Sequence, residues 1–435
     1  MKKSKMLPGF WPALVIFSLT GQIAWVVENM YFNVFIYKMF QATAADISAM
    51  VAASAISATL TTLFIGALSD KIGKRKIFIC GGYILWGISI ASFALIRLDL
   101  IGSLFPMAAS ASAVCVSLVI ILDCVMTFFG SSANDACFNA WLTDATEERG
   151  RGAAEGINSM MPLLAILVVF GGFMGFDLDR MESWTAIYLI IGIAVFCIGL
   201  SGLFFLKETA VRRPENERYF ANIFYGFRPS VIKSNPILYI TLLCFAVFGI
   251  SIQVFMPYLI LYYSVSLQME NYVLIMGPAI LLAAAATAFY GRLYDKKGFQ
   301  ASIFPVLLLL FAGYLILFFC KGVVMVFVGS LLMMCGDLMG MAIFGAMLRD
   351  YTPKGKAGMF QGLRIFSQVL IPGVIGPAIG ALVLKNAETI TGDDGTTSFI
   401  PNENIFLAAF LVAVGLLFVL LIECYLLKKN EKSNR

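Results

Sequence analysis

Glu28, Asp123 and Asp337 each stand inside a long apolar run, and Arg364 stands inside a fourth. An ionisable side chain deep in an apolar helix is costly to keep there and marks a solute or ion pathway. Burial disfavours the charged form of a carboxylate, so such a group can take up and release a proton near neutral pH. Glu28 and Asp123 are therefore candidates for coupling a proton to solute movement, or else structural partners, hydrogen-bonded to a neighbouring helix or paired with Arg364. Gln22 and Asn29 lie near Glu28 in the chain, and Gln253 and Gln368 add neutral polar groups from two further runs. Trp25, Tyr31, Trp86 and Trp141 could stack on sugar faces. Aromatics at helix ends more often anchor at the membrane interface, so only Trp25 is carried forward as a site residue.

The elements that must position these groups are membrane spans. Of 435 residues, 60% are hydrophobic and only 13% charged, with a mean hydropathy of +0.88. Soluble domains run to about 45–50% apolar and about 25% charged, and so few charges cannot cover a water-facing surface of this size. Apolar segments fall at roughly 10–40, 47–69, 77–97, 113–142, 154–176, 184–206, 236–263, 271–291, 301–320, 323–348, 357–384 and 403–427. In lipid the backbone must satisfy its own hydrogen bonds, so each is expected to be a helix. Pro162, Pro257, Pro278, Pro305, Pro372 and Pro377 inside them mark expected bends. Lys2, Lys3 and Lys5 ahead of an apolar run look like a signal peptide. No small-residue cleavage site follows, and the run is read as a retained first span.

Charge sets the expected orientation. Of the 31 lysines and arginines, 25 fall in alternate connections and the two ends, which places both termini in the cytoplasm of a cell with the chain in its inner (plasma) membrane. The polar stretch 207–235 divides the spans six and six, giving halves 1–206 and 236–435. Its part from Arg218 to Lys233 mixes bases with Tyr219, Phe220, Ile223, Phe224 and Phe227, the pattern of a helix lying on the membrane surface. The net charge of +5 is spread over these short runs, and no nucleic-acid partner is expected. There is no histidine, and the nine cysteines form no CxxC pair, so neither a histidine relay nor a metal site nor any other cofactor is expected.

The two halves repeat one another. Asp144, Thr146, Gly152 and Gly156 are echoed by Asp350, Thr352, Gly358 and Gly362, each 206 residues on. The stretch Gly66–Lys76, with Asp70, Gly73, Lys74 and Arg75, is echoed 225 residues on by Gly291, Asp295 and Gly298. Such parallel repeats place a central site between two six-helix halves. Ser131, Asp135 and Asn139 recur at i, i+4 and i+8 and share a helix face near the inner mouth, where Asp135 and Glu155 are read as gate or packing residues. Asp70 ends an inward-running helix, where the helix dipole disfavours an anion, so it needs compensation. Arg75 and Lys74 are one source, and the start of a later helix near Gly358 is another. Asp295 would by the same logic face a helix start near Gly152.

Gly66-Ala67-Leu68-Ser69-Asp70-Lys71-Ile72-Gly73-Lys74-Arg75 resembles the cytoplasmic signature loop of the major facilitator superfamily. With the repeat, that resemblance extends over essentially the whole chain. It implies an all-α integral membrane fold of twelve transmembrane helices in two six-helix pseudo-repeats. It also implies that the loop aspartate latches the halves on the cytoplasmic side when the transporter is open outward, and that helices 1, 4, 7 and 10 line a central cavity. Ser18-Leu19-Thr20-Gly21-Gln22 with Glu28-Asn29 is similar to bacterial relatives of glycoside and sugar:cation symporters. The second helix, however, lacks the paired aspartates with which melibiose-type symporters hold sodium.

The expectation is a secondary transporter working by alternating access as a monomer in the lipid bilayer, with a small-molecule substrate and a proton as coupling ion. The sugar or glycoside symport reading uses Gln22, Trp25, Glu28, Asn29, Asp123, Gln253, Asp337, Arg364 and Gln368. Asp70, Lys74, Arg75, Asp135, Asn139, Asp144, Glu155, Asp295 and Asp350 form the cytoplasmic gate. Proton-driven efflux of drugs or metabolites is the alternative, on the methionines of the tenth segment (Met333, Met334, Met339, Met341); a non-transporting sensor of the same fold is a third. An enzyme is not expected, since no nucleophile–base pair or metal cluster is evident.

Overall fold

The structure, a computed structural model, describes residues 9–108, 110–146, 148–208, 224–269, 271–353, 357–391 and 397–433. Lys2, Lys3, Lys5 and the linker stretch 209–223 lie outside the described residues, as do the side chains of Arg149, Arg151, Glu155, Asp295 and Lys428 and the surroundings of Gly152 and Gly358.

Among the described residues, twelve helices are long and apolar enough to cross a membrane. They are α1 (Phe10–Phe40), α2 (Ala44–Ile72), α3 (Lys76–Leu95), α4 (Ala111–Ala145), α5 (Gly156–Phe173), α6 (Met181–Phe205), α7 (Pro236–Ser266), α8 (Val273–Gly291), α9 (Lys296–Phe319), α10 (Val323–Tyr351), α11 (Gly362–Leu384) and α12 (Asn404–Leu427). Each expected apolar segment is one of them. Phe204, Phe289, Leu382 and Phe418 turn outward while Glu28, Asp123 and Glu423 are buried, the inverse of a water-soluble surface. The chain is a multi-pass membrane protein.

The chain divides into two compact units, Met1–Asp46 with Ala53–Phe220, and Ile47–Ala52 with Ala221–Arg435. In the first, α1 packs on α5 and α3 on α6. Small residues let α3 and α6 touch: a Cβ on Gly87 would meet the backbone of Phe196 at 2.4 Å. A capping box between Thr43 and Asp46 starts α2. In the second unit α7 is the hub, packed on α11 and α12, while α9 packs on α10. A Cβ on Gly376 of α11 would meet the Gln253 side chain at 2.4 Å.

The sequence repeat also recurs as a positive φ at matching glycines, though not as a shared ψ. Gly73 and Gly298, 225 residues apart, both adopt left-handed φ values, +74° and +75°. Few residues but glycine accept that region. Gln41 and Gln268, just past the first helix of each unit, are likewise left-handed at +48° and +52°.

Three features depart from the sequence reading. Four spans contain π-helical turns, at Val27–Tyr31 in α1, Ser131–Phe138 in α4, Tyr262–Ser266 in α7 and Phe366–Leu370 in α11. The connections hold a short helix, Leu98–Leu104, and a hairpin of β1 (Thr389–Thr391) and β2 (Thr397–Phe399). The described part of the expected surface helix is not one helix: a 3₁₀ turn at Tyr225–Phe227 and a helix at Pro229–Ser234 flank an extended Arg228. The cause is Pro229, whose ring disfavours helical backbone in the residue before it.

Candidate functional site

Glu28 sits within the π turn of α1 and is 6% exposed. Its Oε1 accepts hydrogen bonds from Ser54 Oγ of α2 at 2.6 Å and Thr127 Oγ1 of α4 at 2.9 Å, and the two hydroxyl oxygens are 3.0 Å apart. Glu28 Oε2 has no partner among the described residues. Asp123, one turn before Thr127 on α4, is 1% exposed, lies in the electrostatic field of Glu28, and leaves Oδ1 without a partner. Neither carboxylate is ion-paired within the first unit among the described residues.

The π turn explains why two asparagines stand here. An i→i+5 turn disturbs the regular ladder and leaves carbonyls short of donors. Asn29 Nδ2 donates to the Trp25 carbonyl at 2.8 Å and Asn33 Nδ2 to the Asn29 carbonyl at 3.2 Å. Asn29 is thus committed to its own helix. Gln22 is half-buried and, six residues from Glu28, leaves the helix on another side. Trp25 is half-buried with its ring 5.0 Å from that of Trp86, over Gly130 of α4, and neither indole N–H has a partner. Tyr31, Trp86 and Trp141 are fully buried and packed against other rings or backbone, which removes them as sugar-stacking or interfacial residues.

Further along α4, Ser131 Oγ donates to Asp135 Oδ2 at 3.0 Å, and Asn139 Nδ2 donates to the Asp135 carbonyl at 3.1 Å. The three expected on one face are connected, though through a π rather than an α turn. Asn134, unnoticed in the sequence, donates to Tyr83 Oη at 2.6 Å, and Tyr83 donates to the Phe17 carbonyl at 2.6 Å, which ties α4, α3 and α1 together. Ser18 Oγ donates to Asn158 Oδ1 at 2.5 Å and joins α1 to α5.

At the end of the first unit that carries Gly66–Lys76, Arg75 is the centre. It ion-pairs with Asp70, and its Nε lies 3.2 Å from Asp144 Oδ2 and its Nη1 2.6 Å from Ser69 Oγ. Burial alone would weaken the guanidinium's hold on its proton. The carboxylates of Asp70 and then Asp144 outweigh this and hold it above its ordinary value. Lys74, offered as a second source of compensation, is exposed, because the left-handed Gly73 turns the chain so that Arg75 alone points inward. Glu208 joins the same cluster: its Oε1 accepts from the backbone N–H of Arg75 at 2.7 Å and of Lys76 at 3.2 Å, capping the start of α3. Trp141 Nε1 holds the Lys207 carbonyl at 2.9 Å.

In the second unit, Gln253 of α7 stands 225 residues after Glu28, the offset that relates Gly73 to Gly298. It is half-buried against α11. Asp337 is half-buried midway along α10; Arg364 is exposed on α11, and its Nε donates to Gln368 Oε1 at 3.1 Å within the same helix. Tyr294 donates to Asp350 Oδ2 at 2.5 Å, so Asp350 meets the loop after α8 as its counterpart Asp144 meets the loop after α2. Burial, and then Asp350, hold the Tyr294 hydroxyl above its ordinary value. Glu423 of α12, missed in the sequence although it is a lone charge in an apolar run, is fully buried and accepts from Thr241, with Oε2 unpartnered. Among the described residues no three His, Cys, Asp or Glu side chains converge as a metal site, and all nine cysteines are free thiols.

A family model described as Major Facilitator Superfamily matches residues 10–377 and 274–435. No curated relative matches the sequence. Among solved structures, the chain is similar to a point mutant of the nucleoside transporter NupG, with a TM-score of 0.71 at 11% identity, covering 95% of this chain and 99% of that one. It is also similar to a bacterial homologue of the human lysosomal transporter Spinster, inward-facing and occupied (0.68, 15%, 97% of each chain). The xylose transporter XylE from E. coli, in a partially occluded inward-open conformation, matches with 0.66 at 12% identity, over 93% and 97%.

Proposed function

The chain belongs to the Major Facilitator Superfamily and is a transporter, and from that premise we propose that it takes up a sugar or glycoside together with a proton by alternating access. The observation that carries this reading is the Glu28 cluster. Two buried carboxylates stand on α1 and α4 at levels one turn apart, each with a free oxygen, and among the described residues no arginine or lysine within the unit neutralises either. Such groups are kept in the membrane for a reason, and carrying one proton between them removes the cost of two buried like charges. Trp25, half-buried three residues before Glu28, is the ring on which a sugar would stack. A D-xylose-proton symporter is among the structures with the same fold, which supports the class and not the sugar.

Of the four methionines that would favour drug efflux, three are withdrawn from the surface and Met341 is exposed. Met333, Met334 and Met339 are buried, and the Met333 backbone packs where a Cβ on Gly313 would be. Met333 thus packs between α9 and α10. The charge distribution supports cytoplasmic termini, and with them a cytoplasmic gate built on Asp70, Arg75 and Asp144.

The test is reconstitution in liposomes with a sugar panel, recording solute-evoked current with and without a pH gradient, against Glu28→Gln and Asp123→Asn. A sugar-evoked, pH-dependent signal that both variants lose, with sugar exchange retained, supports proton symport. Unaltered uphill transport in both variants sinks the coupling assignment, and a silent panel turns the reading toward efflux of cationic amphiphiles.

A further inference from the structure

Seven buried side-chain polar atoms lack a hydrogen-bond partner among the described residues, and six of them are in the first unit. Buried polar groups without partners are rare and call for a bound water or ion. Four of the six are oxygens, Glu28 Oε2, Asn33 Oδ1, Asp123 Oδ1 and the Tyr188 hydroxyl, and three of these belong to groups that can gain or lose a proton: Glu28, Asp123 and Tyr188.

Several contacts fix the levels at which these three stand. Ser112, at the start of α4, donates to the Phe40 carbonyl at the end of α1, so the two helices run antiparallel with those ends together. Thr127 then meets Glu28, and Asp123 lies one turn nearer the Phe40 end. Lys38 Nζ, 2.7 Å from Asp179 Oδ1, brings the start of α6 to the same end. The Tyr188 ring, seven residues into α6, is wedged between Phe32 at 5.5 Å and Phe35 at 5.0 Å, one to two turns beyond Glu28. Phe93 and Trp184 close the ring on its other sides. The hydroxyl is fully buried and lies in the electrostatic field of Asp123, yet is not bonded to it.

The packing therefore fixes the ring and leaves its O–H without a partner in the field of Asp123, whose Oδ1 also has none. We propose that Tyr188 is a positioning residue for proton transfer, acting through a water held between its hydroxyl, Asp123 Oδ1 and Glu28 Oε2. Tyr188 donates to the water, or through it to the carboxylate, and steadies ionised Asp123. In the transfer, protonated Asp123 gives its proton to the water, which passes one of its own to Glu28 Oε2. Asp123 ends as a carboxylate, Glu28 as a neutral acid, and the water is unchanged. The other groups bearing on Asp123 are Glu28 and the adjacent Cys124; those bearing on Glu28 are Ser54, Thr127 and, through its charge, Asp135. This inference rests on the proton-coupled reading above and adds to it Tyr188, an uncharged residue of α6 that no sequence signal marks.

The test needs no transported solute. Infrared spectra of the full chain in lipid bilayers are recorded as pH is stepped, and the carbonyl band of protonated Asp123 is identified by its absence in Asp123→Asn. Tyr188→Phe keeps the ring and removes only the hydroxyl. Losing a donor to the charged form is expected to raise the proton affinity of Asp123 about tenfold, moving its midpoint about one pH unit upward. In the unmodified chain, exchange into H₂¹⁸O is expected to shift a water O–H band that appears and disappears with Asp123 protonation. An Asp123 midpoint that stays or falls in Tyr188→Phe overturns the proposal, as does the lack of such a water band. A silent sugar panel would defeat the sugar reading and leave this result standing; an unmoved midpoint beside intact sugar uptake would remove only Tyr188.

Discussion

Thr127 of α4 donates its hydroxyl proton to Glu28 of α1 across 2.9 Å, and the same side chain lies 3.0 Å from Ser54 of α2. One carboxylate oxygen thus gathers three helices, while the other oxygen stays uncommitted. A group that only held helices together would be expected to use both. On the proposed proton-coupled reading, the free oxygen is the one that would carry the proton.

Thr127→Val keeps the shape of the side chain and removes the donor. Interhelical hydrogen bonds in membranes contribute about 0.6 kcal/mol on average and at most about 1.7, so thermal unfolding in detergent should show a loss of about 1 kcal/mol. A loss several times larger would mean that packing, and not the hydrogen bond, is the main contribution at this position.

The two left-handed glycines should respond unequally. Gly73 sits in the ordinary left-handed region (ψ 27°), where a side chain costs about 1–2 kcal/mol. Gly298 has ψ −177°, a region nearly closed to other residues, at a cost of about 1–3 kcal/mol and toward the upper end. No atom lies within 4 Å of a Cβ built on Gly298, so its cost is backbone strain alone. Gly298→Ala is therefore expected to lower the unfolding temperature more than Gly73→Ala, and the reverse order would contradict the conformational account.

Arg75 is 5% exposed, whereas the Asp70 and Asp144 side chains are 27% exposed. Removing one member of a buried pair costs about 3–5 kcal/mol, and exposure of the carboxylates reduces that. Arg75→Ala should cost about 2–3 kcal/mol on that basis. Arg75→Lys should recover only part, because an ammonium has no fork to reach both acids and Ser69. Chemical unfolding of the two variants would check this; full rescue by lysine would show that only the charge matters.

Gly21→Ala tests the chain of hydrogen bonds from Asn134 to Phe17. A methyl there would lie 2.1 Å from Asn134 Nδ2 and 2.7 Å from Tyr83 Oη. Overpacking of this kind costs about 1–3 kcal/mol, and the expected readout is a lower melting temperature that Asn134→Ala partly restores. If the second substitution gives no relief, the clash lies elsewhere.

The twelve spans were legible because lipid permits few backbone solutions, and a run of about twenty apolar residues is a strong signal. Glu28 and Asp123 stood out for the same reason, as charges where charges are costly. Their partners did not: Ser54 and Thr127 are ordinary residues of apolar helices, and only the packing of α1, α2 and α4 shows what they bond to. The π turns were invisible because they depend on i→i+5 bonding that no residue type announces. Tyr31, Trp86 and Trp141 were misjudged by type, since an aromatic ring suits an interface and a core equally well. Glu423 was legible and overlooked, a single acid among leucines near the end of the chain.

Glu208 gives the connection between the halves a fixed root. Its carboxylate closes the open amino end of α3, and Trp141 clasps the carbonyl of the residue before it, so the first unit carries its own terminal fastening. A protease site, an affinity tag or a longer tether inserted after residue 208 should leave that unit's fold undisturbed. A cut before it would strip α3 of its cap and loosen the arginine whose backbone N–H it holds. For anyone dividing the chain into separately expressed halves, the place to cut is downstream of that glutamate.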